Sequence, residues 1–358
     1  MDESDWQYQL SHRLKKRQDI PHSFTLTRSE ENFFKADSRT QVLPFSVTPY
    51  YFSLADPDDP FCPIRRQVVP VDEEFVYLPC ESFDPLCEAR YTVMPGLVRK
   101  YEDRCILKLT DMCAVHCRFC FRRFFTGSQR KTLSLSRVEK AALYMAREKK
   151  IKELLITGGD PFIVDDAALD EYLHVIRKTN PHLVVRIGTR VPAVLPQRIT
   201  PGLIALLTQY KPLWVVTHFN HPKELTENGI RALSLLIEAG IPVLNQTVLL
   251  KGINDSAGLL ADLFSRLVRY RVKPYYLFQG DLAKGTSHFR TSIRRGLSLM
   301  QELSRGISGL SLPKYAVDLP QGGGKVVLQE SAIKRVEKGF YIIENYAKKL
   351  YKYPEENN

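Results

Sequence analysis

No stretch of the 358 residues approaches the ~18 consecutive apolar residues that a membrane-spanning helix requires. Met1 to Arg17 is polar throughout and lacks the apolar centre of a signal peptide. Cysteine is sparse and oddly placed: there are seven, and none follows Cys120. A secreted disulfide framework would pair an even number along its length, so these absences predict a soluble, reduced, cytoplasmic protein with no membrane partner. Nor does any period of 20–50 residues recur, which excludes a solenoid. The composition, 44% hydrophobic and 25% charged, excludes disordered and collagen-like chains.

Negative charge is the scarcer sign. Forty Asp and Glu stand against 51 Lys and Arg, a formal net charge of +11. Such an excess raises the question of nucleic acid as a partner. The basic clusters are scattered, however, at His12–Arg17, Arg147–Lys150 and Lys348–Lys349. They read as solvated helix faces, and no nucleic-acid partner is expected.

Residues 1–100 are irregular and rich in Pro and Asp, with Asp56-Pro57-Asp58-Asp59-Pro60 marking turns. From about residue 104 the rhythm changes. Strand-like runs at Cys105–Thr110, Glu153–Thr157, Leu183–Thr189, Leu213–His218, Pro242–Leu249 and Val272–Gln279 alternate with amphipathic stretches. The latter are Leu135–Lys149, Ala167–Lys178, Pro201–Tyr210, Thr226–Ala239 and Ala257–Arg269. This alternation predicts a parallel sheet with right-handed crossovers. Six repeats are too few for a closed eight-stranded barrel and suit a partial barrel or an open sheet, with reactive residues at the C-terminal strand ends.

The first strand runs into Cys113-Ala114-Val115-His116-Cys117-Arg118-Phe119-Cys120, a C-x3-C-x2-C spacing that puts three thiols in one short loop. A structural zinc site wants four ligands, usually as two separated pairs. Three thiolates suit a [4Fe–4S] cluster that keeps one iron open for a small molecule. His116, between two of the cysteines, would be badly aimed as a fourth zinc ligand. Cys62, Cys80, Cys87 and Cys105 show no such grouping.

The second strand ends in Gly158-Gly159-Asp160-Pro161. Two glycines allow close backbone approach to a ligand, and a neighbouring carboxylate can receive an ammonium group, although the same residues make an ordinary turn. Two later strand ends, Thr217-His218-Phe219-Asn220-His221 and Asn245-Gln246, set polar residues inside apolar runs.

Lys325 follows Gln321-Gly322-Gly323-Gly324. A phosphate loop is excluded, because Leu319 and Val326 stand where Gly and Ser/Thr are required. A solvated lysine in a flexible turn, or a Schiff-base lysine for pyridoxal phosphate on mobile backbone, are the remaining readings.

The cysteine loop after a first strand resembles the radical S-adenosylmethionine superfamily. Arg122-Arg123 after the third cysteine, together with the later motifs, is similar to the lysine 2,3-aminomutase family from about Asp5-Trp6 to Lys325. The resemblance implies that Cys113, Cys117 and Cys120 hold a [4Fe–4S] cluster whose open iron chelates S-adenosyl-L-methionine. One electron then yields a 5′-deoxyadenosyl radical. Gly158, Gly159 and Asp160 match the element that holds the methionyl amino group, and His218 and Gln246 match positions near the same cofactor. Lys325 matches the lysine that carries pyridoxal 5'-phosphate, with Gln321 departing from a family glycine. Tyr101 and Arg104 match positions near that cofactor, while Lys100 stands where the family carries Arg. Asp281 and Asp318 match the two acids that receive the ε-ammonium of lysine, and Arg122 the arginine that takes its carboxylate. A glutamate-specific relative would be expected to replace both acids. The family's C-terminal zinc cysteines have no counterpart, and Ser256 occupies an earlier zinc-ligand position. Cys-Phe-Arg-Arg also resembles the branch that makes β-lysine for modifying elongation factor P.

The expectation is therefore an α/β fold, a partial (β/α)6 barrel, with a mainly helical or irregular N-terminal extension over 1–100, a core over 101–300 and a C-terminal segment over 301–358 carrying the cofactor lysine. The activity implied is conversion of L-lysine to β-lysine. The same chemistry on another α-amino acid such as arginine, or a basic iron–sulfur protein binding nucleic acid, are the alternatives. An electron donor such as flavodoxin or ferredoxin and a homo-oligomer complete the expected partners.

Overall fold

The structure, a computed structural model, describes residues 5–36, 42–129 and 131–355. The first four residues of the predicted extension and the last three of the predicted C-terminal segment lie outside the described residues.

One ten-stranded sheet organises the chain. A short hairpin, β1 (Thr92–Met94) and β2 (Leu97–Val98), leads antiparallel into β3 (Arg104–Thr110). From there β4 (Glu153–Gly158), β5 (Val184–Gly188), β6 (Leu213–Thr217), β7 (Val243–Val248), β8 (Lys273–Phe278) and β9 (Lys314–Leu319) pair in sequence order, all parallel. The order closes with β10 (Gly324–Val327), antiparallel to β9. Helices Leu135–Arg147, Asp166–Thr179, Pro201–Thr208, Glu227–Glu238, Ala257–Arg269 and Ile293–Gly306 form the crossovers. This is the expected partial barrel, with a seventh parallel strand added.

Local chemistry explains the boundaries. Thr200, Thr226, Ser256 and Ser292 each cap a helix by accepting from a backbone N–H in its first turn. In Ala257–Arg269 the buried residues Leu260, Leu263, Phe264 and Leu267 fall on one stripe facing the sheet. Ser256 is the cap of this helix, its side chain accepting from the Leu259 N–H. Along β3 the buried Cys105, Leu107 and Leu109 face the helices, while Arg104, Ile106 and Lys108 alternate toward the lumen.

The segment before residue 100 is built of short helices such as Arg28–Lys35 and Pro63–Val68. It shares the barrel's core: Leu14, Phe45, Tyr51 and Ile64 belong to one apolar cluster with Leu107, Leu154 and Val185. The boundary drawn at 300 falls inside helix Ile293–Gly306, and the chain beyond it supplies β9 and β10. The part separate from the barrel sheet begins later, as the antiparallel sheet β11 (Ile333–Glu337), β12 (Phe340–Glu344) and β13 (Leu350–Pro354).

Candidate active site

The C-terminal ends of the parallel strands open into a cavity of about 420 Å³. All fourteen residues singled out above line it. Cys113, Cys117, Cys120, Gly158, Gly159, Asp160, His218 and Gln246 come from the ends of β3, β4, β6 and β7. Tyr101, Arg104, Arg122, Asp281, Asp318 and Lys325 complete the wall.

The cysteine loop is fixed from both sides. The Asp111 carboxylate accepts from the backbone N–H groups of Gln129 and Lys131 at 2.6 and 2.7 Å. Arg13 Nη1 donates to the Cys113 carbonyl at 2.6 Å. Behind the loop, fully buried Glu74 accepts from Arg118 Nε and Nη2 at 2.8 and 2.6 Å, and also from Arg123. The three cysteines carry free thiols. Burial and the nearby Asp160 push the Cys113 thiol well up, and burial raises Cys120. As thiolates they would need compensating positive charge, of the kind a metal cluster could supply. Among the described residues no three His, Cys, Asp or Glu converge as a single metal ion would demand. A four-iron cluster takes one thiolate at each of three corners, so its ligands surround a space rather than a point. His116 is turned away, its Nδ1 bonded to the Pro44 carbonyl at 2.8 Å.

The glycines are also demanded by packing within the chain. A Cβ on Gly159 would lie 2.0 Å from the Met112 carbonyl oxygen, and one on Gly158, at φ +123°, 2.4 Å from that of Thr110. They are glycine because the root of the cysteine loop presses on the end of β4. The Asp160 carboxylate is likewise occupied, by Thr189 Oγ1 and the Arg190 N–H at 2.7 Å each and the Phe162 N–H at 3.1 Å. It ties β4 to β5 instead of presenting a bare carboxylate to the cavity.

Sequence reasoning missed Arg190. It follows β5, is buried, and donates from Nη1 to Cys117 Sγ at 2.7 Å. Nη2 reaches Gln67 Oε1, Glu224 Oε1 and Tyr51 Oη at 2.6, 2.7 and 3.0 Å. Its place at a strand end was the available signal. Beside it, burial and Arg190 push His218 down to about 4, so its imidazole is neutral at pH 7, with Nε2 2.9 Å from Asn220 Oδ1.

At the other end, Lys325 lies on β10 directly across from Asp318 on β9, Nζ 3.9 Å from Asp318 Oδ2. Its ammonium also sits 4.3 Å from the Phe278 ring centre and 4.8 Å from that of Tyr276. The Lys325 N–H donates to Tyr101 Oη at 2.9 Å, and the Arg104 guanidinium lies 4.2 Å over the Tyr101 ring. The lysine thus sits in a strand, directly after the glycine-rich turn. The glycines form the hairpin's turn, Gly322 and Gly324 at φ +76° and +86°. Gln321, without a glycine's freedom, adopts φ +55°, at a cost of about 1 kcal/mol. Burial and Asp318 push Asp281 up to about 8. The cavity therefore pairs an amine that can carry a carbonyl cofactor with two adjacent acids suited to a second ammonium.

Arg122 shows a partner that the sequence did not suggest. Its guanidinium is held by Glu88, from the segment preceding β1, at 2.6 and 3.0 Å.

Comparison with known proteins agrees with this geometry. The pattern of the radical SAM superfamily matches residues 107–263, the span from β3 to the fifth crossover helix. An L-lysine 2,3-aminomutase of Clostridium subterminale is 38% identical over 358 residues, covering 100% of this chain and 85% of that one. The L-lysine 2,3-aminomutase of Bacillus subtilis is 39% identical over 356 residues, covering 99% and 75%. The chain belongs to the lysine 2,3-aminomutase family. Its members do not all share a substrate, for a glutamate 2,3-aminomutase of Clostridioides difficile is 38% identical over 336 residues, covering 91% of this chain and 77% of its own length. Overall identity thus establishes the family and an amino acid substrate, and the cavity must supply the side-chain preference. Among the described residues no helix is long and apolar enough to cross a membrane.

Proposed function

We propose that this member of the family converts L-lysine to β-lysine by moving the amino group from C2 to C3. The observation that carries the reading is one cavity with three thiols at one end and, at the other, an amine-bearing hairpin beside two acids. When bound, the [4Fe–4S] cluster with S-adenosyl-L-methionine supplies a carbon radical that takes hydrogen from C3, and pyridoxal 5'-phosphate supplies the π-system across which the nitrogen moves.

The chain's own residues do the holding. Cys113, Cys117 and Cys120 ligate the cluster, with Arg190 donating to Cys117 Sγ. The turn Gly158–Asp160 holds the methionyl amino group through its backbone groups, with the Asp160 carboxylate fixing the turn; His218 and Gln246 flank the same cofactor. Neutral His218 adds no cation to that wall. Lys325 Nζ carries the pyridoxal group, Tyr101 fixes the backbone of that lysine, and Arg104 approaches from the Tyr101 face. Arg122 takes the substrate carboxylate. Asp281 and Asp318 take the ε-ammonium, which in a partly dry pocket only an acidic partner balances. A side-chain carboxylate would meet the Asp318 charge and find no cation to balance it, whereas an ammonium is balanced by both acids, which is the argument for lysine over glutamate. A one-electron donor of flavodoxin or ferredoxin type, a cytoplasmic setting and a homo-oligomer belong to the same reading.

Anaerobic incubation of reconstituted protein with L-lysine, dithionite, S-adenosyl-L-methionine and pyridoxal 5'-phosphate should release β-lysine. The Cys117→Ala variant should hold no cluster and turn nothing over. Undiminished iron in that variant would show the ligand assignment to be wrong.

A further inference from the structure

Arg122 already has a carboxylate partner contributed by the N-terminal segment. Glu88 Oε1 accepts from Arg122 Nε at 3.0 Å and from Nη2 at 2.6 Å. Its Oε2 accepts from Lys108 Nζ at 3.3 Å. On the far side of the guanidinium, Nη1 donates to Thr157 Oγ1 at 3.3 Å. The Glu88 and Arg122 side chains are each 11% exposed, and both line the cavity.

The geometry matters because a guanidinium is a planar fork with five N–H groups and two edges that can meet a carboxylate. Glu88 takes the side edge, Nε with Nη2. The end edge, Nη1 with Nη2, keeps one N–H on each nitrogen after Thr157 has taken its share. Burial works against an ionised Glu88, but Arg122 and Lys108 overcome it and hold its carboxyl at about 2. At neutral pH two cations and one anion therefore leave a single net positive charge here, matching one incoming carboxylate.

We propose that Glu88 is a positioning residue for the substrate: by gripping the side edge of Arg122 it presents the end edge to the α-carboxylate of the amino acid. The proposal rests on the reading that Arg122 is the carboxylate ligand. Without Glu88 the long side chain of Arg122 can swing within the cavity. The net charge would rise while the aim is lost, so plain attraction and positioning predict opposite results.

The test compares binding of L-lysine with binding of L-lysinamide, which lacks the carboxylate charge, to the holoenzyme carrying cluster and pyridoxal phosphate. Each titration is followed by the absorbance change of the bound pyridoxal group. Wild type should prefer lysine. Arg122→Gln should reduce that preference, and Glu88→Gln should reduce it by about tenfold, the scale of one misaimed charge-assisted pair. In the Arg122→Gln background, Glu88→Gln should remove nothing further. If Arg122→Gln leaves the preference intact, the reading of Arg122 itself falls. If Arg122→Gln reduces it and Glu88→Gln leaves it unchanged or raises it, the positioning role is overturned. Glu88→Asp keeps the buried charge while withdrawing the carboxylate by one methylene, so it decides the question should the Gln variant not fold. A preference intact in Glu88→Asp, with that of Arg122→Gln reduced, also overturns the proposal.

Discussion

Asp318 and Lys325 face each other across the β9–β10 hairpin, with 3.9 Å between the Asp318 carboxylate and the lysine Nζ. The backbone register makes them neighbours, and the three-glycine turn only has to reverse the chain. Lys325 is thereby placed beside the acids that the proposal assigns to the substrate's own ammonium. Borohydride reduction of pyridoxal-loaded protein, followed by digestion, should put the pyridoxyl mass on the peptide containing Lys325. A label on another lysine would break this assignment. Asp318→Asn should leave cluster and pyridoxal loading normal and weaken lysine binding, by about 2–5 kcal/mol for an underpaired buried ammonium.

Asp281 gives that binding a pH signature. Burial and the Asp318 charge raise its carboxyl to about 8, so at pH 7 in the ligand-free protein it is largely protonated. Receiving an ammonium favours the ionised form, so lysine binding should release a proton. Apparent affinity should accordingly strengthen as pH rises from 6 toward about 8, then level off. Titration of lysine binding across that range checks the sign, and Asp281→Asn should flatten the slope.

The cysteine loop depends on a carboxylate that lies 39 residues before its first cysteine. Glu74 balances two buried arginines, Arg118 and Arg123, that bracket Cys120. Glu74→Gln leaves both cations short of a partner inside the protein. It should cost about 3–5 kcal/mol of stability. Thermal unfolding and iron content measured together should both fall; unchanged values would show that the loop is held by other contacts.

Gly159→Ala tests the packing account of the glycine motif. The added methyl would meet the backbone carbonyl of Met112 at 2.0 Å, with no flexible group to yield. Iron retention should drop even before S-adenosyl-L-methionine is added. If the variant keeps its cluster and loses only affinity for that cofactor, the glycine serves ligand approach instead.

The six strands from Cys105 to Gln279 were legible because each is an apolar run flanked by polar turns, and their observed bounds lie within one or two residues of the expected ones. The seventh was not. In Lys314-Tyr315-Ala316-Val317-Asp318-Leu319 the apolar pattern is interrupted by Asp318, which lines the cavity. Helix Ile293–Gly306 escaped with it, which is why the boundary at 300 was drawn through a helix. The motif-bearing candidates were legible as a set, and the structure gathers them around one cavity. Glu88 and Glu74 were not, since they sit in the irregular first hundred residues, where neither periodicity nor spacing marks a residue. Only the packing of that segment onto the barrel joins them to Arg122 and the cysteine loop. Lys325 is marked in the sequence by the glycines before it, and in the structure these form the turn of the β9–β10 hairpin.

The central claim is that two acids select the ε-ammonium of lysine. It is tested most directly by offering the fully reconstituted, anaerobic protein equal amounts of L-lysine, L-arginine and L-glutamate and identifying the β-amino acids formed. The account predicts β-lysine as the main product and no β-glutamate. Formation of β-glutamate or β-arginine with no β-lysine would contradict it.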